Sequence, residues 1–252
     1  MKLSVVIITK NEAHCIGDCV RSVAFADEVI VLDSGSTDGT QAICRDQGAR
    51  VVDADWPGFG PQKNRAIDLA QGKWVLSLDA DEAVTESLRE EILEALTRTT
   101  QSDPSAYSMP RLSSYLGRPM RHSGWWPDRV VRLFRRGSAR FSDDLVHERL
   151  VYTGEAGKLQ GHLTHATYTS LEEIIDKINT YSTAGARMAQ QRGKQASLTN
   201  AVLKGAFAFF RTYILRRGIL DGREGFMLAV SNAETTYYRQ LKLMLLWRDA
   251  GV

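Results

Sequence analysis

The sequence predicts an α/β protein in which a mixed, mainly parallel sheet is followed by a C-terminal helical extension. Apolar runs alternate with segments of helical periodicity through residues 1–100. These runs are continuous rather than alternating, as expected of strands that are covered on both faces in a parallel sheet. Beyond residue 168 the apolar residues follow helical spacing. This order of elements is typical of an open sheet with right-handed crossovers.

Strands and helices alternate in the N-terminal region. The apolar runs that predict strands are residues 3–8, 29–32, 50–53 and 74–78. A helical pattern follows each strand, and residues with known terminal preferences mark where helices begin. Asp38 with Gln41 has the spacing of a capping box, and Thr85 suits a helix cap. In the C-terminal part, Ser170 with Glu173 predicts a second capping box.

The composition is that of a globular protein with no bulk preference for nucleic acid. The chain has 252 residues, of which 43% are hydrophobic and 25% are charged, enough to bury a full core. Its 32 Lys and Arg against 30 Asp and Glu give a net charge of +2, so we expect no nucleic-acid partner. The basic residues gather in the second half, which indicates an anionic substrate or surface.

Cysteine usage and hydropathy indicate a protein of the reducing cytoplasm. Cys15, Cys19 and Cys44 are odd in number and form no C-x-x-C pair, so neither a disulfide framework nor a zinc site is predicted. The N-terminal apolar run lacks a small-residue cleavage site and suits a first strand better than a signal peptide. No window reaches the roughly 18 to 20 uninterrupted apolar residues of a membrane-spanning helix.

Polar residues follow each predicted strand. The strand ends begin T-K-N-E at Thr9, D-S-G-S at Asp33, D-A-D-W at Asp53 and D-A-D-E at Asp79. In open α/β sheets, ligands bind beyond the carboxyl ends of the strands. The sequence has neither G-x-G-x-x-G after the first strand nor a G-x-x-x-x-G-K-[ST] loop, so the usual phosphate cradles are absent. Asp79 and Asp81 instead offer carboxylate oxygens that can hold a divalent cation against a diphosphate.

The ordered motifs V-V-I-I-T-K-N-E, V-L-D-S-G-S-T-D-G-T, G-P-Q-K-N-R-A-I and L-S-L-D-A-D-E resemble the nucleotide-sugar half of family 2 glycosyltransferases of the GT-A fold. Downstream, W-W-P-D-R-V-V-R-L-F-R-R, V-H-E-R-L, L-T-H-A-T-Y and G-I-L-D-G-R-E-G-F resemble the lipopolysaccharide-core β-glucosyltransferase branch. The resemblance implies an inverting enzyme that moves a hexose, glucose from UDP-glucose, onto an inner-core heptose of Gram-negative bacteria.

The resemblance also implies a division of the chain. A GT-A catalytic domain, a Rossmann-like nucleotide-diphospho-sugar transferase fold, would occupy 1–168. Its nucleotide-sugar-binding half would be 1–100 and its acceptor half 101–168. Residues 169–252 would form the C-terminal helical region.

The residues that the resemblance assigns to the nucleotide sugar share a place after the predicted strands. They are Thr9, Asn11, Glu12, Asp33, Ser34, Lys63, Arg65, Asp79, Ala80 and Asp81. The first three would line the floor of the nucleotide pocket, and Asp33 would accept a hydrogen bond from the uracil ring or the ribose. Lys63 would approach the phosphates, although it also fits a solvated helix position. The D-x-D motif implies a divalent metal, Mg²⁺ or Mn²⁺, as cofactor, with Asp79 and Asp81 binding it and the ribose hydroxyls.

An inverting transfer needs a general base that takes the proton of the acceptor hydroxyl. Glu148 in V-H-E-R-L is the first choice for this catalytic residue, and Asp128 in W-W-P-D-R is the second. Asp143 and Asp144 fit a turn or a cap better. His165 is open to two interpretations, a contact with the metal or diphosphate and a structural role.

The implied acceptor is a lipid-linked oligosaccharide, so we expect the enzyme at the cytoplasmic face of the inner membrane as a peripheral protein. Residues 200–217 mix apolar and basic side chains, the pattern of a helix that lies in an anionic membrane surface. Packing within the domain or a dimer contact would use the same pattern.

Other functions stay open from the sequence. A polyprenyl-phosphate sugar transferase, or another cell-envelope glycan transferase, would share the donor half, and a phosphate acceptor needs no strong base. A nucleotidyltransferase would show a Gly-rich basic loop after the first strand, which T-K-N-E-A-H lacks. A non-catalytic binding module would have no need of both Asp79 and Asp81 with a downstream carboxylate.

Overall fold

The computed structural model describes residues 1–97, 103–142 and 149–249. The chain forms two compact units. The first comprises Met1–Arg111 and Asp128–His165, and the second comprises Leu112–Pro127 and Ala166–Val252. The sequence-based division at residue 168 leaves 112–127 in the first domain, whereas the structure groups this segment with the C-terminal helices.

Strands and helices of the described residues alternate up to the fourth strand, which the fifth strand follows directly. The strands are β1 (Leu3–Thr9), β2 (Glu28–Asp33), β3 (Arg50–Asp53), β4 (Trp74–Asp79), β5 (Glu82–Val84), β6 (Ala106–Tyr115), β7 (Arg118–Pro119), β8 (Asp128–Arg135), β9 (Ala139–Phe141), β10 (Leu150–Tyr152), β11 (Gly157–Lys158) and β12 (Leu163–Tyr168). The helices are α1 (Ile16–Ser22), α2 (Thr40–Asp46), α3 (Phe59–Leu69), α4 (Glu86–Ala95), α5 (Leu171–Gln191), α6 (Leu198–Phe210) and α7 (Gly222–Asp249). A π-helical turn (Arg211–Leu215) continues α6, and a 3₁₀ turn (Gly218–Asp221) precedes α7.

The main sheet is mixed, with a parallel half and an antiparallel half. Its strand order is β3-β2-β1-β4-β8-β6-β12-β5, and β7 and β11 also pair with β6. The pairs among β1, β2, β3 and β4 are parallel, as the continuous apolar runs predict. The pairs of β8 with β4 and β6, and of β12 with β5, are antiparallel. Strands β9 and β10 form a separate hairpin.

The central strand β1 is buried along its whole length because helices cover both faces of the sheet. Leu3, Val5 and Ile7 pack into one apolar cluster with side chains of α1 and α4. Val6 and Ile8 point to the other face and pack with side chains of α3. Successive side chains of a strand alternate between faces, so a strand covered on both sides is mostly apolar on both, and its buried Ser4 donates to Glu28 Oε2 at 2.6 Å.

The register of the parallel strands brings their carboxyl ends to one edge. Thr9 lies beside Asp33, Ile8 beside Asp79, and Asp33 beside Asp53. The predicted convergence of the polar strand ends is therefore confirmed. Side chains that are far apart in the sequence can act there on one ligand.

The two predicted capping boxes have different outcomes. The box at Ser170 is confirmed, because Ser170 Oγ accepts a hydrogen bond from Glu173 N at 3.1 Å at the start of α5. The box at Asp38 is wrong, because α2 begins at Thr40 and the residue before it, Gly39, has φ 94°. Asp38 Oδ1 instead accepts from Thr40 N at 3.1 Å and holds the approach to the helix.

The second unit is built on α5, α6 and α7. Its apolar cluster combines the end of β6 and the following loop with α5 and α7, and contains Tyr115, Met120, Ile174, Ile178 and Leu228. Within the described ranges, none of the helices has both the length and the apolar character that a bilayer-spanning segment needs.

Candidate active site

Buried polar side chains meet where β1 and β2 end and α3 begins. Thr9 and Ser34 are 4% and 8% exposed, and Gln62 is fully buried. Gln62 Nε2 donates to Ser34 Oγ at 3.0 Å, and Ser34 N donates to the Thr9 carbonyl at 3.0 Å. Thr9 Oγ1 and Gln62 Oε1 find no hydrogen-bond partner among the described residues. Such buried polar atoms usually have partners, so this group suits the floor of a pocket for a polar ligand.

Hydrogen bonds join the loops that follow β1 and β2. Asn11 lies in the left-handed region, with φ 57°, and its Oδ1 accepts from Thr37 N at 2.9 Å. The Asp33 carboxylate is buried and accepts from Ser36 N at 2.8 Å and from Gln41 Nε2 at 2.7 Å. Asp33 is predicted to accept a hydrogen bond from uracil or ribose. In the structure its carboxylate already accepts hydrogen bonds that order the loop after β2.

Glu12 and Arg65, which are also predicted to bind the nucleotide sugar, contact side chains from nearby positions in the sequence. Glu12 Oε2 lies 3.3 Å from Cys15 Sγ and 3.8 Å from His14 Nε2. Burial, together with the contact to Glu12, raises the pKa of the Cys15 thiol well above its usual range. Arg65 is exposed, and its Nη1 lies 2.7 Å from Asp55 Oδ1. The structure therefore pairs Arg65 with Asp55, and its approach to the nucleotide sugar stays a prediction.

Both carboxylate oxygens of Asp79 face cationic side chains. Lys63 Nζ lies 2.8 Å from Oδ1, and Arg132 Nη2 donates to Oδ2. Lys63 and Arg132 are 3% and 6% exposed, so Lys63 is not a solvated helix residue. Burial opposes the charged form of Asp79, but Arg132 and Lys63 outweigh it and hold the pKa of this carboxyl well below its usual range.

Glu82, at the start of β5, extends this ion pair into a network. Its Oε1 accepts from Arg132 Nη2 at 2.6 Å and from Arg111 Nη1 at 3.1 Å, and its Oε2 accepts from Asp79 N at 3.1 Å. Arg111 in turn donates from Nε (3.0 Å) and Nη2 (2.6 Å) to Asp128 Oδ2. The network therefore contains three cations and three carboxylates, which allows it to be buried.

The substitution Glu82→Gln is expected to destabilise the protein by about 3 kcal/mol, because it leaves Arg111 and Arg132 with one carboxylate fewer in a buried place. Denaturant unfolding of the purified chain measures the change. The matched control is Glu86→Gln, which removes an exposed pair with Arg89 and should cost less than about 1 kcal/mol. Equal losses in the two variants would contradict the assignment of a buried network.

The second carboxylate of the D-x-D motif has a different neighbour. Asp81 Oδ2 lies 3.1 Å from His165 Nε2, because β12 pairs with β5 and places His165 opposite Glu82. Ala80 between the two aspartates is buried in the core. Among the described residues Asp81 pairs with no lysine or arginine, so its carboxylate and the imidazole form an oxygen and nitrogen donor pair that suits Mn²⁺ better than Mg²⁺, which prefers oxygen ligands.

A cavity of about 430 Å³ opens beside Asp79. Its charged lining residues are Lys63, Asp79, Arg111, Arg132 and Arg149, and its apolar ones are Val130, Val131, Phe141 and Leu150. The N–H groups of these four cationic side chains can donate to an anionic group such as a phosphate, although carboxylates of the network already pair with three of them.

The predicted base Glu148 lies outside the described residues, as do Asp143 and Asp144. Asp128, the second choice, is paired with Arg111 through one carboxylate oxygen. Sequence reasoning did not select Gln62 or Glu82 as site residues, although each lies inside a motif that it used, G-P-Q-K-N-R and D-A-D-E. Their positions inside these motifs were the available sequence signal, and the structure adds that both side chains are buried.

Comparisons with known proteins agree with the motifs. The family model described as Glycosyl transferase family 2 matches residues 4–136. An uncharacterized glycosyltransferase of Rickettsia prowazekii (strain Madrid E) is 31% identical over 252 residues, covering 96% of this chain and 86% of that protein. The lipopolysaccharide core biosynthesis glycosyltransferase LpsC of Rhizobium meliloti (strain 1021) is 30% identical over 260 residues, covering 96% of this chain and 92% of that protein.

A solved structure is also similar in part. Glucosyl-3-phosphoglycerate synthase from Mycobacterium tuberculosis, in complex with Mn²⁺, UDP and glucosyl-3-phosphoglycerate, is 28% identical, with a TM-score of 0.37, over 45% of this chain and 44% of that one. The mixed sheet, with its parallel N-terminal half, and the helices that follow it confirm the predicted GT-A fold class. Since the family model covers more than half of the chain and the relatives align along nearly all of it, the chain belongs to glycosyl transferase family 2.

Proposed function

We propose that the protein is an inverting, metal-dependent hexosyltransferase that moves glucose from UDP-glucose onto an inner-core heptose of lipopolysaccharide. The observation that carries the proposal is the arrangement at the end of β4, where Asp81 faces His165 while Asp79 is held by two cations. Similarity to LpsC along 96% of the chain supports the acceptor class. The enzyme would act as a peripheral protein at the cytoplasmic face of the inner membrane.

The donor nucleotide would lie over the ends of β1 and β2. Thr9 Oγ1 and Gln62 Oε1 are buried without partners among the described residues, and a pyrimidine base with donors and acceptors on its edge would satisfy them. Asn11 and Asp33 would hold the surrounding loops in the shape that receives the base and the ribose. Glu12 lies at the start of the same loop.

The donor diphosphate would lie between the metal and the protein's own cations. Asp81 and His165 would hold the divalent ion, whose chemistry here is to stabilise negative charge on the leaving diphosphate. Lys63 and Arg132 are fixed by Asp79 and would add positive charge on the protein side. In this assignment Asp79 acts by positioning the two cations. The sequence predicts that both aspartates bind the metal, and we propose that of the two only Asp81 does so.

The general base would be Glu148. Strands β9 and β10 pair Phe141 with Leu150, and Ser142 N donates to the Arg149 carbonyl at 2.9 Å. Phe141, Arg149 and Leu150 line the cavity beside Asp79, so the chain neighbours of Glu148 border the place where the sugar carbon would react. Asp128 already accepts two hydrogen bonds from Arg111, which makes it the second choice.

The test is a transfer assay with the purified chain. We expect hexose addition, detected by mass spectrometry, when UDP-glucose, Mn²⁺ and a heptose-terminated core lipid are supplied together. UDP-galactose and UDP-N-acetylglucosamine serve as donor controls, and polyprenyl phosphate serves as the acceptor control. Transfer to polyprenyl phosphate with none to the core lipid would overturn the proposed acceptor. The absence of donor turnover with every acceptor and metal would overturn the proposal as a whole.

A further inference from the structure

We propose that α6 and the two turns after it form a docking surface that lies flat on an anionic phospholipid bilayer. The surface consists of the exposed apolar residues of 198–220 and the arginines at 211, 216 and 217. The inference rests on the proposed function in one respect, because a lipid-linked acceptor explains why the enzyme would need a membrane. It goes beyond that function by naming the element that binds and the lipid chemistry that it selects.

Helix α6 packs with its small residues and exposes its large ones. Ala201, Gly205 and Ala208 are its buried positions, and a Cβ on Gly205 would lie 3.3 Å from Tyr237 Cβ of α7. The apolar side chains between 46% and 63% exposed on this segment are Leu198, Val202, Leu203, Phe207, Phe210, Ile214, Leu215, Ile219 and Leu220. A helix of a globular domain normally buries such residues, so this face has the character of a surface that another apolar phase covers.

The chain segment that forms this face carries charge of one sign. From residue 198 to residue 220 the chain contains no Asp or Glu, and its basic residues there are Lys204, Arg211, Arg216 and Arg217. Arg211, Arg216 and Arg217 are exposed and form no ion pair with an acidic side chain of the described residues. Arginines without acidic partners beside apolar side chains complement the phosphates of anionic lipids above the acyl boundary.

The 3₁₀ turn Gly218–Asp221, which ends the docking surface, is held in place by hydrogen bonds. Buried Asp221 accepts hydrogen bonds from Arg121 N at 3.1 Å and from Ser123 Oγ at 2.9 Å. Ser123 N donates to the Arg216 carbonyl at 2.8 Å. The turn that presents Ile219 and Leu220 is therefore already ordered, and little conformational entropy would be lost when these side chains enter a lipid surface.

Charge also decides between a bilayer and a second copy of the chain. In a two-fold symmetric dimer the same patch meets itself, so the acid-free, basic surface would face an equal positive charge. A bilayer that contains phosphatidylglycerol carries the opposite charge. The absence of a spanning helix in the described ranges is consistent with a segment that lies on the membrane.

The experiment measures binding of the donor-free, full-length protein to vesicles by co-sedimentation. We expect binding to phosphatidylcholine vesicles with about one third phosphatidylglycerol, at least about tenfold weaker binding to pure phosphatidylcholine, and weakening by salt. Arg211→Gln and Arg217→Gln together should reduce the partition coefficient about 25-fold, because each arginine contributes about fivefold. Phe207→Ser should reduce it about tenfold through lost apolar burial.

Matched controls lie in the first unit. Arg45→Gln and Leu93→Ser change an exposed arginine and an exposed leucine, and both should bind vesicles as the wild type does. UDP-glucose hydrolysis should be unchanged in the docking variants, so a failure of docking and a failure of the proposed function are distinguishable. Equal binding of docking variants and wild type, no preference for anionic vesicles, or a dimer in light scattering that Phe207→Ser dissociates would overturn the inference.

Discussion

Replacing Asp81 by Asn is expected to lower kcat/KM for sugar transfer about a thousandfold, a loss of roughly 4 kcal/mol of transition-state stabilisation. The neutral amide keeps the size of the side chain but removes the charge that would hold a divalent ion beside His165. Fold stability should change little, because Asp81 has no lysine or arginine partner among the described residues and its side chain is 29% exposed. Excess chelator should reduce wild-type turnover to a similar level.

Steady-state kinetics with UDP-glucose measures the loss, and Mn²⁺ electron paramagnetic resonance with UDP present measures metal binding independently of turnover. The control is Asp46→Asn, an exposed aspartate at the end of α2, which should leave both readouts unchanged. Asp79→Asn gives a further contrast, because it should weaken the positions of Lys63 and Arg132 while Mn²⁺ binding persists. Turnover that survives the chelator, or an Asp81→Asn variant as active as the wild type, would exclude the proposed metal role.

The location of the candidate active site was predictable because the pattern of apolar residues in the sequence predicts where each strand ends. Continuous apolar runs identified β1, β2 and β4, and parallel pairing then required Thr9, Asp33 and Asp79 to share an edge. The pairing of antiparallel strands in the second half was not predictable in the same way. It depends on contacts such as that of β12 with β5, which joins residues about eighty positions apart and places His165 beside Asp81.

Partners of charged side chains were the least predictable feature of the site. Arg132 was one of several arginines in R-V-V-R-L-F-R-R, and only the structure shows that it lies between Asp79 and Glu82. Arg129, from the same motif, donates to the Leu159 carbonyl at 3.0 Å instead. Alternation along a strand assigns residues to faces, but it does not say which neighbouring strand supplies a partner.

The two aspartates of D-A-D-E differ in what neutralises them. Asp79 has cations of the protein on both oxygens, which keeps it ionised in a mostly buried place. Asp81 has only the imidazole of His165 beside it among the described residues, and so it is the carboxylate that can accept an added cation. Two aspartates that are two residues apart are therefore compatible with a stable fold, because Lys63 and Arg132 neutralise the charge of Asp79.

Glu148→Gln is expected to lower kcat for transfer to a hydroxyl acceptor about a thousandfold, within the range for removal of a general base. Glutamine keeps the shape of the side chain and removes its ability to take the acceptor proton. The thermal stability of the variant, measured beside that of the wild type, separates loss of the base from loss of the fold. The fall of kcat at acid pH, which reports protonation of the base, should disappear in the variant.

Two substitutions separate this role from its alternatives. Glu155→Gln changes an exposed carboxylate in the same part of the chain and should leave kcat unchanged. Asp128→Asn should lower kcat about tenfold at most, through a weaker hold on Arg111, and it should keep the acid limb of the pH profile. If Asp128→Asn loses that limb while Glu148→Gln retains it, the base is Asp128. If Glu148→Gln turns over as fast as the wild type, the acceptor nucleophile needs no base, as expected of a phosphate oxygen.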